Sequence, residues 1–182
     1  MRKIMFNDKY GLTEAVLSGR KTMTRRVCKL SNGAGLHSYM LDKENRTVEI
    51  LTDRQLIDIK PAYWIGEEVA VAQSGYDILQ EIKRDYGELS NKAEIFKKAH
   101  MKEAFWYNKM FVSAYLCPHR IQIINIKVEQ LQAISDEECL REGVIPFDAP
   151  RVEFANLIDK ISGKGTWERN PYVFVYSFKL IK

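Results

Sequence analysis

"RIQIINIKVEQLQAISDEECLREG", Arg120 to Gly143, changes its period partway along. In its first half Ile121 and Ile123 share one face of an extended chain, whereas Ile124, Ile126 and Val128 share the other. That change of parity predicts either a bulge near Ile123–Ile124 or burial of both faces. In its second half Ser135 and Glu138 form a capping box, and Gly143 supplies the glycine that ends a helix. A strand followed closely by a short, well-capped helix sets the pattern for the rest of the chain.

Working outward, "KMFVSAYL" (Lys109–Leu116) reads as a second strand, separated from the first by the Cys117-Pro118-His119 turn. "RVEFANLIDKISGKG" reads as a helix, with Phe154, Leu157, Ile158 and Ile161 at helical spacing and Gly163 as the stop. "YVFVYSFKLI", Tyr172–Ile181, is a strongly alternating aromatic strand. Upstream, "TEAVLSG" predicts a short helix with Thr13 as N-cap and Gly19 in the left-handed position after its end. "EEVAVAQ", Glu67–Gln73, is a buried strand launched from the turn "YWIGE". The charged stretch Ser74–Lys109 is partly helical, clearest in "YDILQEIKRDYGEL", where Tyr76, Ile78, Leu79 and Ile82 make an apolar stripe. It reads as an outer elaboration of the core. Strands outnumber long helices and no βαβ rhythm is sustained. The expected class is α+β, with a mixed or antiparallel sheet able to curl into a barrel.

The chain has 182 residues, 46% hydrophobic and 29% charged, the composition of a single globular domain over residues 1–182. A net charge of +4 admits an anionic partner without requiring one. The first residues carry no apolar core followed by a small-residue cleavage site, and no apolar run approaches the ~20 residues of a membrane span. Cys28, Cys117 and Cys139 form no CxxC pair, which predicts reduced thiols and a cytoplasmic setting. Cys117 and His119 lack the second close pair that a tetrahedral metal site needs, so neither metal nor cofactor is expected.

The chemistry-bearing stretch is "LSGRKTMTRR", Leu17–Arg26. Arg20, Lys21, Arg25 and Arg26 suit phosphate, and Thr22 and Thr24 add hydroxyl groups. The plain alternative is that basic residues after a helix favour its dipole and are otherwise solvated. Lys21, crowded by three guanidinium groups, is a candidate for a lowered pKa and so for a base. Thr24 is a hydroxyl three residues away, but on a regular strand positions 21 and 24 point to opposite faces. Glu142 stands out because it ends a helix, where the dipole disfavours a carboxylate. Trp106 beside Asn108 and Lys109, and Trp167 beside Arg169, suit a base that stacks while its edge is hydrogen-bonded. Trp64, in the turn before a strand, reads as a core anchor.

Gly19, Lys21 and Arg25 resemble the G-x-K-x-x-x-R signature of ASCH domains, members of the PUA-like superfamily. The preceding helix, the "IGEEVAVAQ" strand, "ISDEECLREG" and the last strand follow in the same order. The resemblance implies a small mixed or antiparallel β-barrel flanked by short helices, with a basic cleft that takes RNA, single-stranded nucleic acid or a modified nucleoside. In that reading Gly19, Arg20, Arg25, Arg26, Trp106, Asn108, Lys109, Trp167 and Arg169 form the binding set. The chain resembles one branch more sharply, the amidohydrolases that remove acetyl from N4-acetylcytidine. Their catalytic lysine and threonine match Lys21 and Thr24, and by element order their glutamate matches Glu142. A purely structural or partner-binding domain is the third expectation.

Overall fold

The computed structural model describes residues 1–28, 35–100, 106–145 and 149–181. The chain runs β1 (Arg2–Ile4), α1 (Leu12–Leu17), β2 (Met23–Val27), β3 (Leu36–Asp42), β4 (Thr47–Thr52), β5 (Leu56–Ile59) and β6 (Glu68–Val71). It continues through α2 (Gly75–Tyr86), α3 (Asn91–His100), β7 (Arg120–Gln130), α4 (Asp136–Arg141), α5 (Pro150–Ser162), α6 (Thr166–Arg169) and β8 (Tyr172–Leu180). The class is α+β, and among the described residues the strands form two sheets and no closed ring. By contact the chain gathers into two compact units, one of residues 1–17, 68–121 and 180–182, the other of residues 18–67 and 122–179.

In the first unit β1 runs parallel to β6, with Arg2 opposite Val69 and Ile4 opposite Val71. α1 starts one residue before Thr13, which therefore is not its N-cap. A 3-10 turn over Asp8–Tyr10, capped by Asn7 and closed by Gly11 at φ 65°, delivers the chain directly into the helix. Gly11 O then accepts the first helical bond, from Ala15 N at 3.0 Å. Thr13 Oγ1 turns instead to Asp8 Oδ1, at 2.5 Å.

α2 has a full capping box between Ser74 and Asp77. Its buried Ile78 packs with Ala70, Val112, Ala114 and Cys117, and Ile82 covers the same cluster. The charged stretch thus builds this unit's core and is not an outer addition to it. "KMFVSAYL" is not a strand either, but a series of turns. Lys3 explains the difference: its ammonium donates to the carbonyls of Lys109, Met110 and Val112 at 2.9, 2.6 and 2.6 Å. One cation thus gathers carbonyls that a strand would have paired in a ladder.

In the second unit β8 lies between β7 and β2. β8 and β2 are antiparallel, with Thr24 opposite Tyr176 and Arg25 opposite Val175. β8 is buried from Val173 through Phe178, so both faces of the aromatic strand are covered and not one alone. Val173 and Val175 join Met23, Leu131, Ile134, Cys139, Val144, Phe154 and Ile158 in one core. Tyr176 belongs to the other face, its hydroxyl accepting from Ala62 N at 3.0 Å and its ring meeting Tyr63 edge-on at 5.5 Å.

β7 settles its own ambiguity. Its buried apolar positions are 121, 123, 126 and 128, and Ile124 is 47% exposed. The inward face therefore slips by one residue between Ile123 and Ile126, which overturns burial of both faces. A separate antiparallel meander, β3-β4-β5, pairs Tyr39 with Ile50 and Ile50 with Ile57. Sequence reasoning passed over it. Val48 and Ile50 are its fully buried residues, and the turn Lys43–Arg46 is organised by Asp42 Oδ1, which accepts from Glu44 N and Asn45 N. No described helix is long and apolar enough to cross a membrane.

Candidate functional site

The basic segment follows α1 through Gly19, which sits at φ 75° in open space. Residues 20–22 precede β2, and there the chain meets the end of α4. Three successive carbonyls at that end accept from three successive residues of the segment. Thr22 N donates to Arg141 O at 2.9 Å, Lys21 Nζ to Glu142 O at 2.6 Å and an Arg20 guanidinium nitrogen to Gly143 O at 3.2 Å. Two basic side chains and one backbone N–H thus satisfy carbonyls at the helix end, and the two cations complement the negative end of its dipole. Glu142, disfavoured there by the dipole, is compensated by Lys21 and Arg25, which pair with its carboxylate.

Extended alternation places Lys21, Met23 and Arg25 on one face. Lys21 Nζ lies 2.6 Å from Glu142 Oε2, and both residues are at most 4% exposed. Arg25 reaches Glu142 Oε1 at 3.2 Å, Glu129 Oε1 at 2.6 Å and Glu138 Oε2 at 2.5 Å. Lys127 closes the set, 2.8 Å from Glu129 and 2.6 Å from Glu138. Three cations (Lys21, Arg25, Lys127) therefore face three carboxylates (Glu129, Glu138, Glu142). The Arg25 guanidinium also lies 5.9 Å from the Phe154 ring centre, while its buried Nε has no hydrogen-bond partner among the described residues.

The electrostatics divide the two central cations. Burial pushes the Lys21 pKa down, Arg26 and Arg25 add to that, and Glu142 opposes it without prevailing. Burial also disfavours the Arg25 charge, but Glu142, Glu129 and Glu138 outweigh it and hold its pKa above the ordinary value. Glu138 loses some solvation, yet Lys127 and Arg25 keep its pKa below the usual carboxylate value. Burial raises the Cys139 thiol, within the same core, to about 11, so it stays protonated and unreactive at neutral pH.

A pH dependence follows. Because Glu138 titrates lower in the fold than in the unfolded chain, its contribution is present above about pH 4.5 and is lost as pH falls through the folded value. In urea titrations from about pH 7 to about pH 3, the midpoint should fall on the acid side, and Glu138→Gln should remove part of that slope. An unchanged acid slope in the variant would mean that Glu138 is not held by its cations.

Thr24 is buried but makes none of these contacts. It is paired with Tyr176, so the pleat turns it to the face opposite Arg25. Arg26 is half-buried, on the same strand. Trp167 packs edge-on against Phe154 at 6.1 Å and borders the core. Arg169 donates to Lys164 O and Thr166 Oγ1. Trp64 is 8% exposed and fits the anchoring role. Trp106, Asn108 and Lys109 belong to the first unit. There Trp106 meets Tyr76 edge-on, Asn108 Oδ1 accepts from Met110 N, and Lys109 Nζ binds Phe6 O, Asp8 Oδ1 and Thr13 Oγ1. Lys109 is thus already engaged with the turn before α1.

Glu129, Glu138 and Lys127 were missed as members of the site. Glu138 reads in sequence as a helix cap, a role it also fills. Lys127 and Glu129, two apart on a strand, were legible as a charged pair on one face.

No family model matches the chain, and no curated protein matches it. Among solved structures it is similar to protein EF3133 from Enterococcus faecalis V583, of the family model DUF984. The identity is 13% and the TM-score 0.46, covering 100% of this chain and 80% of that one.

Proposed function

We propose that the chain is a PUA-like domain of the ASCH type that binds a modified nucleoside beside the Lys21–Glu142–Arg25 cluster. The observation that carries this reading is the burial of Lys21 against Glu142 at 2.6 Å. A buried ion pair contributes little net stability compared with apolar residues of the same volume. A lysine kept there with a lowered pKa therefore has the character of a functional group. Lys21 and Arg25 are already neutralised by carboxylates, which favours a compact, polar ligand over a row of phosphates. The G-x-K-x-x-x-R resemblance, with Gly19, Lys21 and Arg25, supports the same reading.

The test is calorimetric titration with N4-acetylcytidine and cytidine, beside a single-stranded RNA titrated at several salt concentrations. The nucleoside should bind with little salt dependence, and Lys21→Met combined with Glu142→Leu should weaken it about tenfold or more, ~1.4 kcal/mol. Binding of RNA alone, weakening steeply with salt, would replace the nucleoside by a polynucleotide. No binding of either at low salt would overturn the reading. Amide hydrolysis at the same cluster is the second reading, favoured by the lowered Lys21 pKa beside a carboxylate.

A further inference from the structure

We infer that the first unit carries a separate site for an aliphatic ammonium ligand, in a cleft of about 580 Å³ bordered by α1 and α2, where Gln73, Glu81, Tyr76 and Tyr107 all contribute to the lining. This site does not depend on the nucleoside reading, since every lining residue belongs to the first unit.

Gln73 carries the inference. It is 2% exposed, yet its buried Oε1 has no hydrogen-bond partner among the described residues, a condition that calls for an explanation in a folded protein. Its orientation is fixed by chemistry: Nε2 donates to Glu81 Oε1 at 2.5 Å. A flipped amide would set two oxygens against each other, so the group left to satisfy is an acceptor. Gln73 is one of the residues that line the cleft, so an occupant that donates an N–H or O–H there, with a small shift of the amide to open Oε1, would satisfy it.

The surroundings select charge as well. Four carboxylates line the cleft (Asp8, Glu14, Asp77 and Glu81) against one lining guanidinium, Arg84, with Lys109 paired to Asp8 and His119 to Glu81. Glu81 is held ionised: burial would raise its pKa, but His119 at 2.9 Å and Gln73 together keep it below the ordinary value. Tyr76 and Tyr107 stack with their ring centres 6.4 Å apart and planes 26° from parallel, offering aromatic faces that attract cations. The volume suits a small molecule. An unpaired acceptor, carboxylates and aromatic faces together fit a primary ammonium on an aliphatic stem.

The experiment is calorimetric titration of the full chain with putrescine, with Nα-acetyl-lysine amide and with tetramethylammonium, all at one ionic strength. Putrescine or the lysine amide should bind saturably with Kd near or below about 1 mM, and tetramethylammonium, which has no N–H, at least about tenfold more weakly. The stronger of the two amines tells whether the ligand is a free amine or a lysine side chain. Gln73→Met should abolish saturable binding. Tyr107→Ala, at an exposed position that does not threaten folding, should weaken it about threefold or more. No saturable binding of either amine, equal binding of tetramethylammonium, or affinities unchanged in Tyr107→Ala would overturn the assignment.

Discussion

Glu142→Ala should destabilise the protein by about 3–5 kcal/mol, the cost of removing one partner from a buried ion pair. The loss falls mainly on Lys21, whose ammonium keeps only the Glu142 backbone carbonyl of the two bonds it makes to that residue. Arg25 is better protected, because Glu129 and Glu138 remain with it. Glu129→Ala should therefore cost less, Arg25 then retaining Glu138 and Glu142. Pairing Lys21→Met with Glu142→Leu should recover most of the loss, since apolar residues of similar volume replace a buried pair at little or no cost. Equilibrium urea unfolding of the two single variants and the double one measures all three. A loss below about 1 kcal/mol for Glu142→Ala would place the pair in the range of solvated surface bridges and remove the basis for treating it as a site.

The same pair shows what could be read from the letters. Lys21 and Glu142 are 121 residues apart, and each was legible for a local reason: Lys21 for the cations around it, Glu142 for its cost at a helix end. The structure joins those two anomalies, with the cation capping the helix that the carboxylate ends. Arg25 was legible as a motif residue, but its role depends on three carboxylates whose convergence is tertiary, and no local pattern announces it. Thr24 lies on the other face of the strand for a reason that was legible, since the pleat separates positions 21 and 24. The apolar stripe of α2, the capping box at Ser135 and the terminal glycines 143 and 163 act within a few residues, so α2, α4 and α5 were readable. "KMFVSAYL" looked like a strand because alternation is local, whereas Lys3, which pulls its carbonyls into turns, lies more than a hundred residues away in sequence.

If the second proposed reading holds, N4-acetylcytidine given to the purified protein should release cytidine and acetate, and Lys21→Ala should lower that rate by about 10²–10⁴-fold, the range for loss of a general base. In the second reading the amine of Lys21, neutral more often because burial lowers its pKa, takes a proton from the attacking oxygen. That oxygen adds to the acetyl carbonyl carbon, and Glu142 passes a proton to the exocyclic nitrogen as the C–N bond breaks. Acetate leaves directly if the attacker is water; if it is Thr24, an acetyl ester forms as cytidine leaves, and one water then hydrolyses it to acetate. Glu142→Gln keeps the shape but removes both the proton carrier and the charge that faces Lys21, so it should lose activity and part of its stability, and urea unfolding of the same sample separates the two losses. Thr24→Ala separates the two attackers. Retained release would assign the attack to water, in keeping with the pleat that turns Thr24 away from Arg25, whereas lost release would require the hydroxyl to reach Lys21 from the opposite face. Release unchanged in Lys21→Ala would remove Lys21 as the base, and no release from the unaltered protein would end the hydrolytic reading and leave binding alone at the cluster.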